Sequence, residues 1–160
     1  MAAPRWLRQR NCHSCGPVAL INLKKWLGQP ISYAKDYNYW VKKCECSRDG
    51  STLRGFVDAL YSIEGIKISP RAVPSLDLID LALKQGKAVV MKSAFMEKGE
   101  LHGHFFIITE RSDKSFFCIN AEADFRWWTK ASFHAHWLQH YLYYCDECGI
   151  APYAWIVRKI

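Results

Sequence analysis

The chain has 160 residues, of which half are apolar and 14% are aromatic, and its formal net charge is +7. This composition excludes a disordered chain, and no apolar run reaches the length of about 18 to 20 residues that a membrane span needs. Seven cysteines without a secretory signal predict reduced thiols in a cytoplasmic protein rather than a disulfide framework. Because the basic residues are scattered, we favour a solvated basic surface over nucleic-acid binding.

The first helix is predicted to begin at Cys15. Apolar residues recur at helical spacing after it, and Pro17 is suited to a first helical turn. Gly28 followed by Pro30 is a typical helix end. Residues 31–50 are polar and aromatic and give no clear pattern, so they remain unassigned.

Two further helices are predicted before the middle of the chain. The segment DGSTLRGFVDALYSIEG, residues 49–65, reads as a helix that Ser51 or Thr52 can cap. A shorter helix is predicted from a Ser75 cap to Gly86. The inward face of the longer helix is predicted to hold four apolar residues: Leu53, Phe56, Val57 and Leu60.

Strands are predicted in the second half, where β-branched and aromatic runs alternate with turn residues. The runs are KAVVMKSA (87–94), GHFFIITE (103–110), SFFCINA (115–121) and YAWIVRKI (153–160). A late helix is predicted at 130–142. Helices followed by antiparallel strands indicate an α+β fold, which we expect to form a single domain over residues 1–160.

A cysteine at a helix start, a histidine and an asparagine together suggest nucleophilic catalysis. Backbone N–H groups and the helix dipole favour a thiolate at Cys15. His104 opens the apolar part of the second run, HFFIIT, and a short hairpin would place Asn120 beside it, where the amide could orient the imidazole. Gln9 could donate to an oxyanion together with the Cys15 N–H. These residues predict a Cys-His-Asn triad.

The segment QRNCHSCG resembles the nucleophile segment of papain-like cysteine peptidases. The order of CGPVAL, GSTLRGFVDAL, QGKAVVM, GHFFIIT and INAEADFRWW is most similar to the bacteriocin-processing (double-glycine leader) peptidase domains. Asn120 followed by Ala121 stands where that family has Asp-Pro. His102 is an alternative to His104, which is preferred because it directly precedes the apolar run.

This resemblance implies a papain-like fold, in which N-terminal helices pack on an antiparallel sheet. It also implies a peptidase that cleaves a peptide or isopeptide bond through a thioester on Cys15. The expected partner is a polypeptide substrate, with ubiquitin-like proteins and viral or bacterial precursors as open choices, and no membrane partner. A viral or phage origin is one of several that the sequence leaves open. Catalysis itself requires no cofactor.

The remaining cysteine pairs suggest a structural zinc site. C-x-C and C-x-x-C pairs from distant loops could complete a tetrahedral thiolate site, formed by Cys44, Cys46, Cys145 and Cys148. Scattered thiols in the protein core are the competing interpretation. A catalytically silent or zinc-clipped papain-like module that binds a peptide or protein partner is the alternative function. Cys12 is expected to be a packed neighbour of Cys15, and Cys118 a core residue.

Overall fold

The computed structural model describes residues 6–97, 99–121, 124–138 and 153–160. The helices are α1 (Cys15–Trp26), α2 (Tyr33–Lys43), α3 (Leu53–Tyr61), α4 (Leu76–Lys84) and α5 (Lys130–Phe133). The strands are β1 (Ile66–Ala72), β2 (Ala88–Glu97), β3 (Glu100–Arg111), β4 (Ser115–Ile119), β5 (Phe125–Thr129) and β6 (Tyr153–Lys159). In these ranges no helix has the length and apolar character to cross a membrane.

The six strands form one antiparallel sheet in the order β1-β6-β2-β3-β4-β5. This arrangement of helices on an antiparallel sheet is the predicted α+β fold. Side chains alternate across the sheet, so neighbouring residues of β3 belong to different cores. Phe105 and Ile107 pack with α1 and α3, whereas Phe106 and Ile108 pack with α4 and with Trp137.

The helix predicted at Cys15 is confirmed. Its first nine residues are buried, because this helix packs against β3 of the sheet and contacts both α2 and α3. Residues 31–50, left unassigned from the sequence, contain α2. Only Trp40 of α2 is buried, so this helix has a narrow apolar face that the sequence pattern does not reveal.

The next two predicted helices, α3 and α4, each have a side-chain cap at the N-terminus. Thr52 Oγ1 accepts a hydrogen bond from the Gly55 N–H at 2.9 Å, and Ser75 Oγ accepts one from the Leu78 N–H at 3.1 Å. One detail of the prediction is wrong. Leu53 is 48% exposed, because it is the first residue of α3 and the buried face of this helix begins only at Gly55 and Phe56.

The structure adds two strands and lengthens a third. β1 and β5, the two edge strands, were not predicted. In β1 the reason is Pro70, which argues against a strand in a sequence pattern although proline is tolerated at a sheet edge. β3 begins at Glu100, so His104 lies inside the strand rather than opening it. In the late predicted helix, α5 is followed by a π-helical turn at His134–Leu138. Residues 139–142 of that prediction lie outside the described ranges.

Candidate active site

The segment before α1 folds into a turn held by the Asn11 side chain. Asn11 Oδ1 accepts hydrogen bonds from the His13 N–H at 3.2 Å and from the Ser14 N–H at 2.9 Å. Asn11 Nδ2 donates to the Tyr37 hydroxyl of α2 at 3.2 Å. Local side-chain to backbone bonds of this kind stabilise a turn ahead of a helix. The turn therefore fixes the backbone immediately before Cys15.

Cys15 is the first residue of α1, and it is only 5% exposed. Burial raises the pKa of its thiol, because a thiolate loses its hydration there. The backbone N–H groups of Phe105 and Gly16 beside the sulfur act in the opposite direction and favour the thiolate. A negative charge on the nearby Cys46 would raise the pKa further. Cys15 is therefore a thiol in this state, next to groups that can stabilise its anion.

Close packing between α1 and the start of α3 requires a glycine after Cys15. A Cβ atom added at Gly16 would lie 2.4 Å from Ser51 Oγ and 3.2 Å from a ring carbon of Phe56. The GST segment that precedes α3 therefore lies directly against the first turn of α1. The motifs CGPVAL and GSTLRGFVDAL are therefore in direct contact.

The His104 ring is buried between the sheet and the π-helical turn. Its Nε2 atom lies 2.5 Å from the backbone carbonyl oxygen of Asn120, and it stacks with Phe106 and Trp137. Because a carbonyl only accepts, Nε2 carries the proton, which leaves Nδ1 as the proton-accepting nitrogen. Burial lowers the pKa of His104 to about 4, although the Asn120 bond acts in the opposite direction. The imidazole is therefore neutral at pH 7.

Asn120 connects the histidine to the N-terminal segment. It follows β4 directly in a left-handed conformation with φ of 67°. Its Nδ2 donates to Gln9 Oε1 at 3.0 Å, and the amide of Gln9 in turn donates to the Asn11 carbonyl at 2.5 Å. Among the residues that the structure describes, Asn120 Oδ1 is buried and has no hydrogen-bond partner. The backbone of Asn120 thus contacts His104, while its side chain holds Gln9.

Three of the four proposed catalytic residues, Gln9, Asn120 and His104, are linked by hydrogen bonds, and Cys15 is the fourth. The hydrogen bonds of the described residues include none between the Cys15 thiol and the His104 ring. Cys15 lies against the backbone of Phe105, the residue after His104. The His104 ring stacks with Phe106, on the side of β3 that packs with Trp137.

Two of the four proposed zinc ligands belong to the described part of the chain. Cys44 is fully buried, and burial raises the pKa of its thiol to about 12. Cys46 is partly exposed, and its Sγ–H donates to the His13 carbonyl at 3.2 Å. Cys145 and Cys148 lie outside the described residues. The described residues themselves contain no cluster of three or more metal-binding side chains. The zinc site therefore remains a prediction.

The structure corrects one expectation and adds residues that the sequence analysis missed. Cys12 is exposed rather than packed against Cys15, because the Asn11 turn directs it outward, whereas Cys118 is buried in the core as expected. Asn11 and Tyr37 were missed. An asparagine just before a predicted helix start is a signal for a turn of this type, because its side chain can accept from the backbone N–H groups two and three residues later, but no sequence signal indicates the contact with Tyr37.

The whole fold is similar to solved structures of peptidase domains. The peptidase domain of Streptococcus ComA, a bi-functional ABC transporter, has a TM-score of 0.64 at 15% identity, with 96% of this chain and 97% of that chain covered. A double glycine motif protease of an AMS/PCAT transporter, in complex with the leader peptide, has a TM-score of 0.62 at 13% identity, with coverage of 96% and 90%.

A C39-like peptidase from Bacillus anthracis has a TM-score of 0.62 at 10% identity, with 97% of this chain and 95% of that chain covered. No family sequence model and no curated protein matches the chain. The molecule therefore has the papain-like fold of the double-glycine and C39-like peptidases, and the fold expected from the sequence motifs is confirmed.

Proposed function

We propose that this protein is a cysteine peptidase in which Cys15 is the nucleophile. The observation that carries the proposal is the position of Cys15 in the first turn of α1, on a papain-like fold, against the backbone of Phe105, the residue that follows His104. A thiol at a helix start and a neutral imidazole are the two groups that thiol-dependent acyl transfer needs.

The proposed reaction begins with transfer of the Cys15 proton to His104 Nδ1. The thiolate attacks the carbonyl carbon of the scissile bond, and the Cys15 N–H and the Gln9 amide stabilise the oxyanion. The imidazolium then protonates the leaving amine as the C–N bond breaks, which leaves a thioester on Cys15. His104 next takes a proton from water, the hydroxide attacks the thioester, and the carboxylic acid product departs as the thiol is restored.

Both reacting groups are neutral in this state and share no hydrogen bond. The proposed mechanism therefore requires substrate binding to bring them together. The pKa of Cys15 is raised and that of His104 is lowered, which favours the thiol and imidazole over the ion pair. Catalytic contacts are commonly long or misaligned before substrate binds. The Gln9 amide now donates to the backbone of Asn11, and its second N–H remains to serve the oxyanion.

The proposed substrate is a polypeptide. A protein of the same fold has been solved with a leader peptide bound to it, which supports a peptide as the ligand class. Peptide and isopeptide bonds both fit the proposed chemistry, and ubiquitin-like proteins and viral or bacterial precursors are the substrate classes to compare.

Cleavage of a peptide library tests this function directly. We expect new N-termini to appear with the parent protein and to be absent with Cys15→Ala, while Cys12→Ser, which changes an exposed thiol of the same segment, cleaves normally. His104→Ala should lose activity as well. Cleavage by Cys15→Ala at the parental rate would refute the proposal.

The second candidate is a catalytically silent module that binds a peptide in the same site. The observation that favours it is that the thiol and the imidazole are both buried and neutral and do not share a hydrogen bond. This alternative predicts that the protein retains an uncleaved peptide, and that Cys15→Ala binds the peptide as tightly as the parent.

We also propose a structural zinc ion bound by Cys44, Cys46, Cys145 and Cys148. The soft thiolates would form a closed tetrahedral site that holds the end of α2 to the segment that contains Cys145 and Cys148. Metal analysis of the purified protein is expected to find one zinc ion per chain, which Cys148→Ser removes. A metal-free, fully folded parent protein would refute this site without affecting the peptidase proposal.

A further inference from the structure

Three basic residues form a row across one edge of the sheet. Lys67 of β1 is directly opposite Arg158 of β6 in the antiparallel register. On the other side of β6, Ala88 is opposite Val157, so the preceding residue Lys87 comes next to Arg158 by the same register. Positive side chains from three adjacent segments therefore lie side by side. Like charges placed opposite each other destabilise a sheet unless something offsets their repulsion.

The row borders an open groove of about 460 Å³ at the end of α4. The groove is lined by Lys67, Ser69, Gln85, Lys87, Ile156 and Arg158. No carboxylate is among these lining residues, so the repulsion is not offset inside the groove. The Lys87 ammonium donates to Gln85 Oε1 at 2.6 Å, which leaves the Gln85 amide N–H₂ and the Ser69 hydroxyl as further donors.

We propose that this groove binds the phosphate chain of an oligophosphate. Neighbouring strands are about 4.8 Å apart, so the row spans about 10 Å, and flexible lysine and arginine side chains can converge on two or three linked phosphates within it. No aromatic residue lines the groove. Because nucleic-acid sites typically stack bases on aromatic side chains, the lining favours a small phosphate chain over a nucleic-acid strand.

The groove is independent of the proposed peptidase site. The lining of the groove includes none of the proposed catalytic residues Gln9, Cys15, His104 and Asn120. Loss of binding in the groove therefore leaves the peptidase proposal untouched, and the reverse also holds.

Titration calorimetry with inorganic tripolyphosphate tests the proposal on the full chain. Arg158→Gln, and separately Lys67→Gln, should weaken the tripolyphosphate Kd by about tenfold each, because each removes a charge-assisted hydrogen bond. Lys35→Gln is the matched control, since Lys35 is exposed on α2 and its replacement removes the same charge. Lys67 and Arg158 are both exposed, and a thermal melt of each variant confirms that it is folded.

Three outcomes would overturn the proposal. The first is no heat of binding with tripolyphosphate, and the second is an equal loss of affinity in Lys35→Gln. The third is that a single-stranded oligonucleotide binds more tightly than tripolyphosphate and that the groove substitutions abolish this binding. ATP is expected to bind within about threefold of tripolyphosphate, because the groove has no group that stacks a base. A preference of ATP over tripolyphosphate greater than about tenfold would contradict recognition of the phosphate chain alone.

Discussion

Replacing Asn120 separates the roles of its backbone and its side chain. The backbone at this position has φ of 67°, and its carbonyl oxygen accepts from His104. Asn120→Gly keeps that conformation accessible, whereas Asn120→Ala places a Cβ in the left-handed region, which costs about 1 to 2 kcal/mol. The extra flexibility of glycine in the unfolded chain offsets about 0.4 to 1 kcal/mol of this difference.

The alanine variant should therefore be less stable than the glycine variant by about 1 kcal/mol. For a chain of this length, that corresponds to a Tm about 2 to 4 °C lower. Both variants lose the bond to Gln9, worth about 1 kcal/mol, and both remove the buried, unpaired Oδ1 atom, so the glycine variant should melt close to the parent protein. Thermal unfolding followed by circular dichroism measures these differences. An alanine variant as stable as the glycine variant would refute the conformational reasoning.

Activity of the same variants tests the side chain. The Asn120 amide holds Gln9, the proposed oxyanion donor. Asn120→Gly should therefore lower kcat by about tenfold to a hundredfold, somewhat less than direct loss of an oxyanion donor, while the His104 environment is preserved. Gln9→Ala should lower kcat at least as much, and the double variant should lose little more. A folded glycine variant with the parental kcat would show that the side chain has no part in catalysis.

Three other predictions concern protonation and packing. The pKa of His104 in the folded protein, about 4, lies below the ordinary value of 6.5, so the unfolded chain takes up the proton first as the pH falls. The free energy of unfolding should therefore fall by about 2 to 3 kcal/mol as the pH is lowered from 6.5 to 4. His104→Gln should remove that part of the pH dependence. Asp80, whose pKa is lowered by three neighbouring cations, stabilises the fold above the ordinary carboxyl pKa. Urea unfolding of Asp80→Asn should therefore show a loss of about 1 kcal/mol at pH 7 that shrinks below about pH 4, and a constant loss would contradict the ion-pair account. Gly16→Ala should cost about 1 to 3 kcal/mol through its clash with Ser51, and Ser51→Gly should restore part of it; no restoration would mean that the strain lies elsewhere.

Local signals in the sequence were sufficient for the helices that carry strong start and stop residues. The helix at Cys15 has Pro17 in its first turn and Gly28 at its end, and both features act within the helix itself. The second helix was missed because it buries only Trp40, and a single buried residue leaves no periodic pattern. The first strand was missed because Pro70 and its charged neighbours are typical of a loop, although a sheet edge accepts them.

The candidate site was predicted in its residue types but not in its connections. Asn120 was expected to orient His104 through its side chain, and instead its backbone carbonyl contacts the ring. The side chain is bonded to Gln9, which is 111 residues away in the sequence. Contacts over this distance depend on how the sheet and the N-terminal segment pack, and no local pattern records them. The position of the thiol against the Phe105 backbone is of the same kind.

Covalent labelling with peptide and ubiquitin-like electrophiles, followed by mass-spectrometric mapping of the modified residue, tests the central claim most directly. The labelling is done in a Cys12→Ser background, because Cys12 is an exposed thiol that would react without being catalytic. We predict a single adduct on Cys15 that is lost in Cys15→Ala and strongly slowed in His104→Ala. Labelling of another cysteine, or equal labelling after Cys15→Ala, would contradict the assignment of Cys15 as the nucleophile.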